Sequence, residues 1–320
     1  MFIIIKIKIL FFHRHHNKSA FYMVYLPLKM VLENKHKLSK LDSIIDESFD
    51  KNKSVFYKLI IQLSVDGIYL CVYDFVTLKY LAFEHFTFQN AFTLDATSEI
   101  FESVLKESSL FNLKYKKVNC LITHNIATLV PNALYDEEQK KMFLKSTTNL
   151  DNLSIVLVDD LKTLESKNVF ALPISLKAKL DYIHSNIVYN HFSSGLIENL
   201  LMQTKNQNKK QLFVHVQGSH FETIVIDEKN LIFYNSFNHH TAEDFMYYLL
   251  FVCEQLELNP ETIELVIVGE LDRNSNLFSL ITKYVRNVKF GERKDTAGYG
   301  YKLQNIPKHF YYSIFNNYYI

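Results

Sequence analysis

Apolar and polar positions fall into a repeated order in the second half of the chain. Gln211 to Val216 and Phe221 to Ile226 are mostly apolar and are separated only by Gln217-Gly218-Ser219-His220. Two short apolar runs around a glycine-bearing link predict a hairpin, with Gly218 taking the positive φ of a tight turn. Asp227 to Asn230 is a second polar turn, and Leu231 to Phe237 predicts a third strand. Thr241 followed by Asp244 has capping-box spacing. Phe245, Tyr248, Leu249, Val252 and Leu256 then recur at helical spacing until Asn259-Pro260. Ile263 to Val268 is nearly all apolar, as expected of a strand buried on both faces.

The same order occurs earlier. Tyr57–Leu63, Ile68–Tyr73 and Leu78–Phe86 predict three strands, with Asp66-Gly67 as the first turn. Leu94–Leu110 predicts a helix and Lys117–Thr123 a buried strand. Three meandering strands, a crossover helix and a parallel strand make a ribonuclease-H-like unit. Two such units predict an α/β protein with the actin-like ATPase fold, two ribonuclease-H-like lobes around a cleft. The expected division is residues 53–204 for the first lobe and 211–320 for the second. The lysine-rich stretch Lys205–Lys210 is the linker. His309–Tyr318, rich in Phe and Tyr, is expected to pack back across the lobes as a helix.

Residues 1–52 do not match this pattern and are expected to be a poorly ordered extension. Phe2–Phe12 is apolar but interrupted by Lys6 and Lys8, and is too short to span a bilayer. A mis-assigned start, with translation beginning at Met23 or Met30, explains the segment better than a membrane-surface anchor. Glu33–Lys53 is read as a loosely held polar arm.

Composition narrows the function. With 320 residues and 48% hydrophobic content, the chain can fill two cores. A net charge of +1 gives no reason to expect nucleic acid or a membrane as partner. The three cysteines, Cys71, Cys120 and Cys253, lie in apolar contexts and predict reduced thiols in the cytoplasm.

The middle of the chain offers two weak candidates for chemistry. Asp159-Asp160 follows a predicted strand, Ser154–Val158, and two adjacent acids can hold a divalent ion. Capping or solvation is the better reading. Leu176–Ser185 and Ser193–Gln203 are predicted helices, and His184 and His191 near them are read as packing residues rather than an acid–base pair.

Actin-like ATPases hold phosphate in two hairpin turns, each with an Asp at the end of the first strand and glycines in the turn. Laid on this chain, that pattern puts Gln62 and His215 at the Asp positions and Ser64 and Gln217 at glycine positions. Gly218 survives. Gly269 keeps half of the adenosine-binding pattern, and Glu270 replaces its second glycine. The candidate cleft residues are therefore Ser64, Asp66, Gly67, Gln217, Gly218, Ser219 and Gly269. No P-loop, GxGxxG or HExxH occurs.

The run VHVQGSHFETIVIDEKNLIFYNSFNHHTAEDFMYYLLFVCEQLELNPE resembles the bacterial domain-of-unknown-function 3822 family. TLVPNALYD, YIHSNIVYNHFSSGLIENLL and IPKHFYYSIFN resemble further stretches of it. The resemblance implies the actin-like ATPase fold and brings no catalytic residues. The expected function is a cytosolic, non-catalytic protein that binds a partner protein, with no cofactor, no catalytic residue and no metal. The competing expectation is an ATP-binding enzyme or nucleotide switch that uses ATP with Mg²⁺ at an atypical cleft. A nucleic-acid-processing accessory is a third, weaker one.

Overall fold

The computed structural model describes residues 37–89, 94–97, 100–148, 150–293 and 297–316. The apolar run Phe2–Phe12 and the alternative starts lie outside them.

The chain opens with β1 (Lys37–Ile45), β2 (Tyr57–Leu63), β3 (Gly67–Asp74) and β4 (Lys79–Gln89). Two short helices, α1 (Leu94–Thr97) and α2 (Phe101–Glu107), lead to β5 (Lys117–Ile122). Next come β6 (Ala127–Pro131), α3 (Lys140–Lys145), β7 (Ser154–Leu161), β8 (Ser166–Pro173) and α4 (Ile174–Ile183). β9 (Ile187–His191) and α5 (Phe192–Thr204) follow. The second half carries β10 (Lys210–Val216), β11 (His220–Asp227), β12 (Asn230–Asn238), α6 (Ala242–Gln255) and β13 (Glu264–Gly269). It ends with α7 (Asn276–Tyr284), β14 (Asn287–Phe290), β15 (Gly298–Tyr299) and α8 (Tyr312–Phe315).

The first sheet has the order β1-β4-β3-β2-β5-β9, with β15 also beside β4, and the second β12-β11-β10-β13-β14. In each, an antiparallel meander is joined through a crossover to a parallel central strand, β2 to β5 and β10 to β13. A small antiparallel sheet, β6-β8-β7, is inserted in the first half. α6 starts on the expected capping box, Thr241 with Asp244.

Alternation along the strands sends side chains to two layers. Leu59, Ile61 and Leu63 pack with Val104 and Leu180 on the outer face of the first sheet. Leu212, Val214 and Leu265 pack with Phe245 and Leu249 outside the second. The inner faces share one core that holds Tyr80 and Phe83, Phe213 and Val268, Leu196 of α5 and Phe315 of α8, with the Phe315 ring against both Tyr80 and Phe83.

Four readings need correction. Lys37–Ile45 is not part of a loose arm: it pairs antiparallel with β4, and Lys40 Nζ reaches buried Glu84 at 2.7 Å. An edge strand carries polar residues, which hid it in the pattern. In place of one helix over Leu94–Leu110, the described residues carry α1 and α2, and α2 ends at Glu107. The helix of His309–Tyr318 is a single turn, Tyr312–Phe315, in the described residues. Gly218 does not have the positive φ expected of it; among the described glycines that conformation belongs to Gly269, at +95°.

Candidate functional site

The C-terminal ends of β2 and β10 place the two hairpin turns against each other. In the first turn Ser64 Oγ accepts hydrogen bonds from the N–H groups of Asp66 and Gly67, both at 3.1 Å. Those are donors that a phosphate-cradling turn would turn outward. Here the turn satisfies them itself. In the second turn Ser219 Oγ donates to the Asp66 carboxylate at 2.5 Å. Gly218 lies beside the same carboxylate, where an added Cβ would stand 3.5 Å from Oδ2. Gln62 Nε2 donates to Gln217 Oε1 at 3.4 Å. The structure brings Ser64, Asp66, Gly67, Gln217, Gly218 and Ser219 together, and two bonds cross between the lobes, Ser219 to Asp66 and Gln62 to Gln217.

Gly269 stands beside Val216, where β13 runs parallel to β10. A Cβ there would meet the Val216 carbonyl oxygen at 2.2 Å. The glycine is required by the close approach of two strands, which needs no ligand. Its N–H donates to the carbonyl of His309 at 2.7 Å. Glu270 accepts a hydrogen bond from Tyr69 OH of the first lobe at 2.8 Å.

Where acids would face a metal, the strand ends carry Gln62 and His215. Gln62 Oε1 accepts from Ser313 Oγ at 2.7 Å. His215 Nδ1 faces Glu222 at 2.7 Å. Glu222 escaped notice in the sequence, although it sits opposite His215 in the β10–β11 pairing and is 0% exposed. Burial pushes its carboxyl pKa up. His220, the bond from His215 and the bond from Ser236 outweigh that and hold it below the ordinary value. Among the described residues no group of three or more His, Cys, Asp or Glu is placed to hold a metal ion.

The C-terminal segment fills the rest. Arg293, buried under it, donates to the Phe310 carbonyl at 2.6 Å and lies over the Phe315 ring at 4.6 Å. Tyr312 OH accepts from Gln203 of α5, and Tyr80 OH donates to the Phe315 carbonyl. A pocket lined by Gln62, Gln217 and Gly269 has a volume of about 10 Å³, room for about one water.

The other candidates do not form sites. Asp159 points inward and accepts from Asn190, Ser194 and the His191 N–H, and burial raises its pKa to about 6. Asp160 points outward to Lys167 at 3.1 Å. Adjacent strand residues face opposite sides, so the two cannot chelate one ion. His184 packs on Phe111, and His191 among His124, Phe170 and Phe192, so the two do not form a pair.

Two lobes with facing hairpins define a protein of the actin-like ATPase fold. A crystal structure from Bacteroides thetaiotaomicron VPI-5482, described as having that fold and unknown function, is 26% identical. The match covers 78% of this chain and 95% of that one, with a TM-score of 0.67. A type IV pilus biogenesis complex, PilM-PilN, matches at 10% identity over 76% of this chain and 90% of that one, with a TM-score of 0.51. The chain itself belongs to the family described as "Protein of unknown function (DUF3822)", whose model matches residues 46–288. No curated protein matches the chain.

Proposed function

We propose that this chain is a cytosolic, non-catalytic scaffold: an actin-like protein with a degenerate nucleotide site that works by binding a partner protein. One observation carries the reading. The two turns that would cradle phosphate are hydrogen-bonded to each other, Ser219 to Asp66 and Gln62 to Gln217. Magnitudes favour the closed state. Exposing Tyr312, Ile314 and Phe315, all buried, costs about 2 kcal/mol each. Each hydrogen bond broken adds about 1 kcal/mol. A ligand of 100 µM affinity supplies only about 5.5 kcal/mol. The repeated strand and helix order supports an origin by internal duplication. The cysteines, all buried and unpaired, fit a reducing compartment.

Affinity capture from extract of the source cells tests this reading. A stoichiometric protein partner is expected, recovered equally with Mg²⁺–ATP and with EDTA. Capture that requires ATP, or is released by it, would overturn the scaffold reading in favour of a nucleotide switch.

A further inference from the structure

The end of the first sheet opposite the cleft has a character that the net charge conceals. β2 begins there at Tyr57, β3 ends opposite it at Asp74, and β4 and β5 begin at Lys79 and Lys117. Three segments meet at this end: 50–58, 74–79 and 112–117. They carry six exposed lysines, Lys51, Lys53, Lys79, Lys114, Lys116 and Lys117, and the buried Lys58, against Asp50 and Asp74. The whole chain has a net charge of only +1. Asp74 is turned inward, accepting from the Val76 N–H at 2.9 Å and from Thr77 Oγ1 at 2.7 Å. No ion pair engages these seven lysines among the described residues. Lys58 and Lys117 are register partners on adjacent strands. Burial first, and Lys117 second, lower the Lys58 pKa to about 8.

Apolar side chains project through this ring of charge. Val76 is 80% and Phe56 58% exposed, and Val55, Phe75 and Leu78 are exposed beside them. Leu78 takes φ +55°, a left-handed conformation that ordinarily goes to Gly or Asn. A large apolar residue at a strained, exposed turn position is a double cost to the folded chain alone. The turn is also rigid, clamped by Asp74 and by the Gly298 N–H, which donates to the Leu78 carbonyl at 2.8 Å.

We propose that this end docks on an anionic lipid surface, with Val76, Phe56 and Leu78 entering the headgroup boundary and the six exposed lysines facing lipid phosphates. The apolar groups stand on a tight turn and a short 3-10 helix, Lys51–Phe56, so they form a convex tip. A convex apolar tip ringed by cations fits a fluid planar surface, whereas an acidic peptide would need a groove. The contact is peripheral, since among the described residues no helix is long and apolar enough to cross a membrane. It uses none of the cleft residues and is independent of the scaffold reading.

Vesicle flotation of the full chain tests it. Vesicles of phosphatidylcholine alone are compared with vesicles that also contain phosphatidylglycerol, whose negative surface potential attracts lysines. Binding is expected only to the anionic vesicles and is expected to weaken as salt rises. Lys114→Glu with Lys116→Glu and Lys117→Glu is expected to reduce binding at least about tenfold. Phe56→Ser with Val76→Ser is expected to do likewise, with melting curves showing that both variants remain folded. Equal binding to neutral vesicles, no binding to anionic ones, or binding that ignores both folded variants overturns the proposal. No binding to anionic vesicles is also what an acidic protein ligand at this end would give.

Discussion

Gly269→Val is expected to unfold the protein or to cost it at least about 4 kcal/mol, while Gly218→Ala changes stability by less than about 1 kcal/mol. Both glycines carry the remnant of a nucleotide-binding signature, and the structure gives them different work. Gly269 has φ +95°, and a Cβ would stand 2.2 Å from the carbonyl oxygen and 2.8 Å from the nitrogen of Val216. Both clashing atoms are backbone within a parallel strand pair, so relief requires pulling β13 off β10. That pair also holds the Gly269 N–H against the carbonyl of His309, so the C-terminal segment would lose its seat with it. Gly218 has neither constraint: its φ lies outside the left-handed range, and its nearest foreign atom is the end of the Asp66 side chain at 3.5 Å. Urea denaturation of the two variants checks the contrast. A folded, fully stable Gly269→Val would remove the packing explanation for that glycine.

Glu222→Gln is expected to lower stability by about 3 kcal/mol at pH 7. The carboxylate is fully buried and is faced by His215 at 2.7 Å, His220 at 3.4 Å and Ser236 at 3.1 Å. A neutral amide keeps the shape but not the attraction, and its NH₂ donors meet groups arranged to donate. The pH dependence has a defined sign. The folded-state pKa of Glu222 lies below its ordinary value. Its contribution is therefore fully present above the unfolded value of about 4.3 and is lost as pH falls through the lower folded value. The gap between wild type and variant should narrow on going from pH 7 to pH 3, measured by denaturant titration at each pH. A gap that is constant across that range would mean that charge at this position contributes nothing.

Much of the fold could be read from local signals, because hairpins and helix caps are written in neighbouring residues. Asp66-Gly67, Gln217-Gly218 and Thr241 with Asp244 each mark their own element within a few positions. What could not be read depends on register between distant segments. β1 is held by β4 forty-four residues away, through Lys40 and Glu84, and its own residues look like solvated polar chain. The cleft residues were found by position in the hairpins, but their role was not. Nothing near Asp66 announces that its partner is Ser219, 153 residues on. Glu222 is not legible in the sequence, because a single acid in an apolar run has meaning only once the pairing sets it opposite His215. The single turn Tyr312–Phe315 was legible as aromatic and inward-packing, though not as the element that lies against Gln62, Tyr80 and Gln203.

Calorimetric titration of the folded full chain with ATP and Mg²⁺, repeated at several temperatures, tests the closed cleft most directly. A cleft whose two turns bond to each other, Ser219 to Asp66 and Gln62 to Gln217, predicts no saturable heat at any temperature up to millimolar nucleotide. Saturable binding tighter than about 100 µM, near −5.5 kcal/mol, and competed by ADP, would contradict the account and make the chain a nucleotide-binding member of its fold.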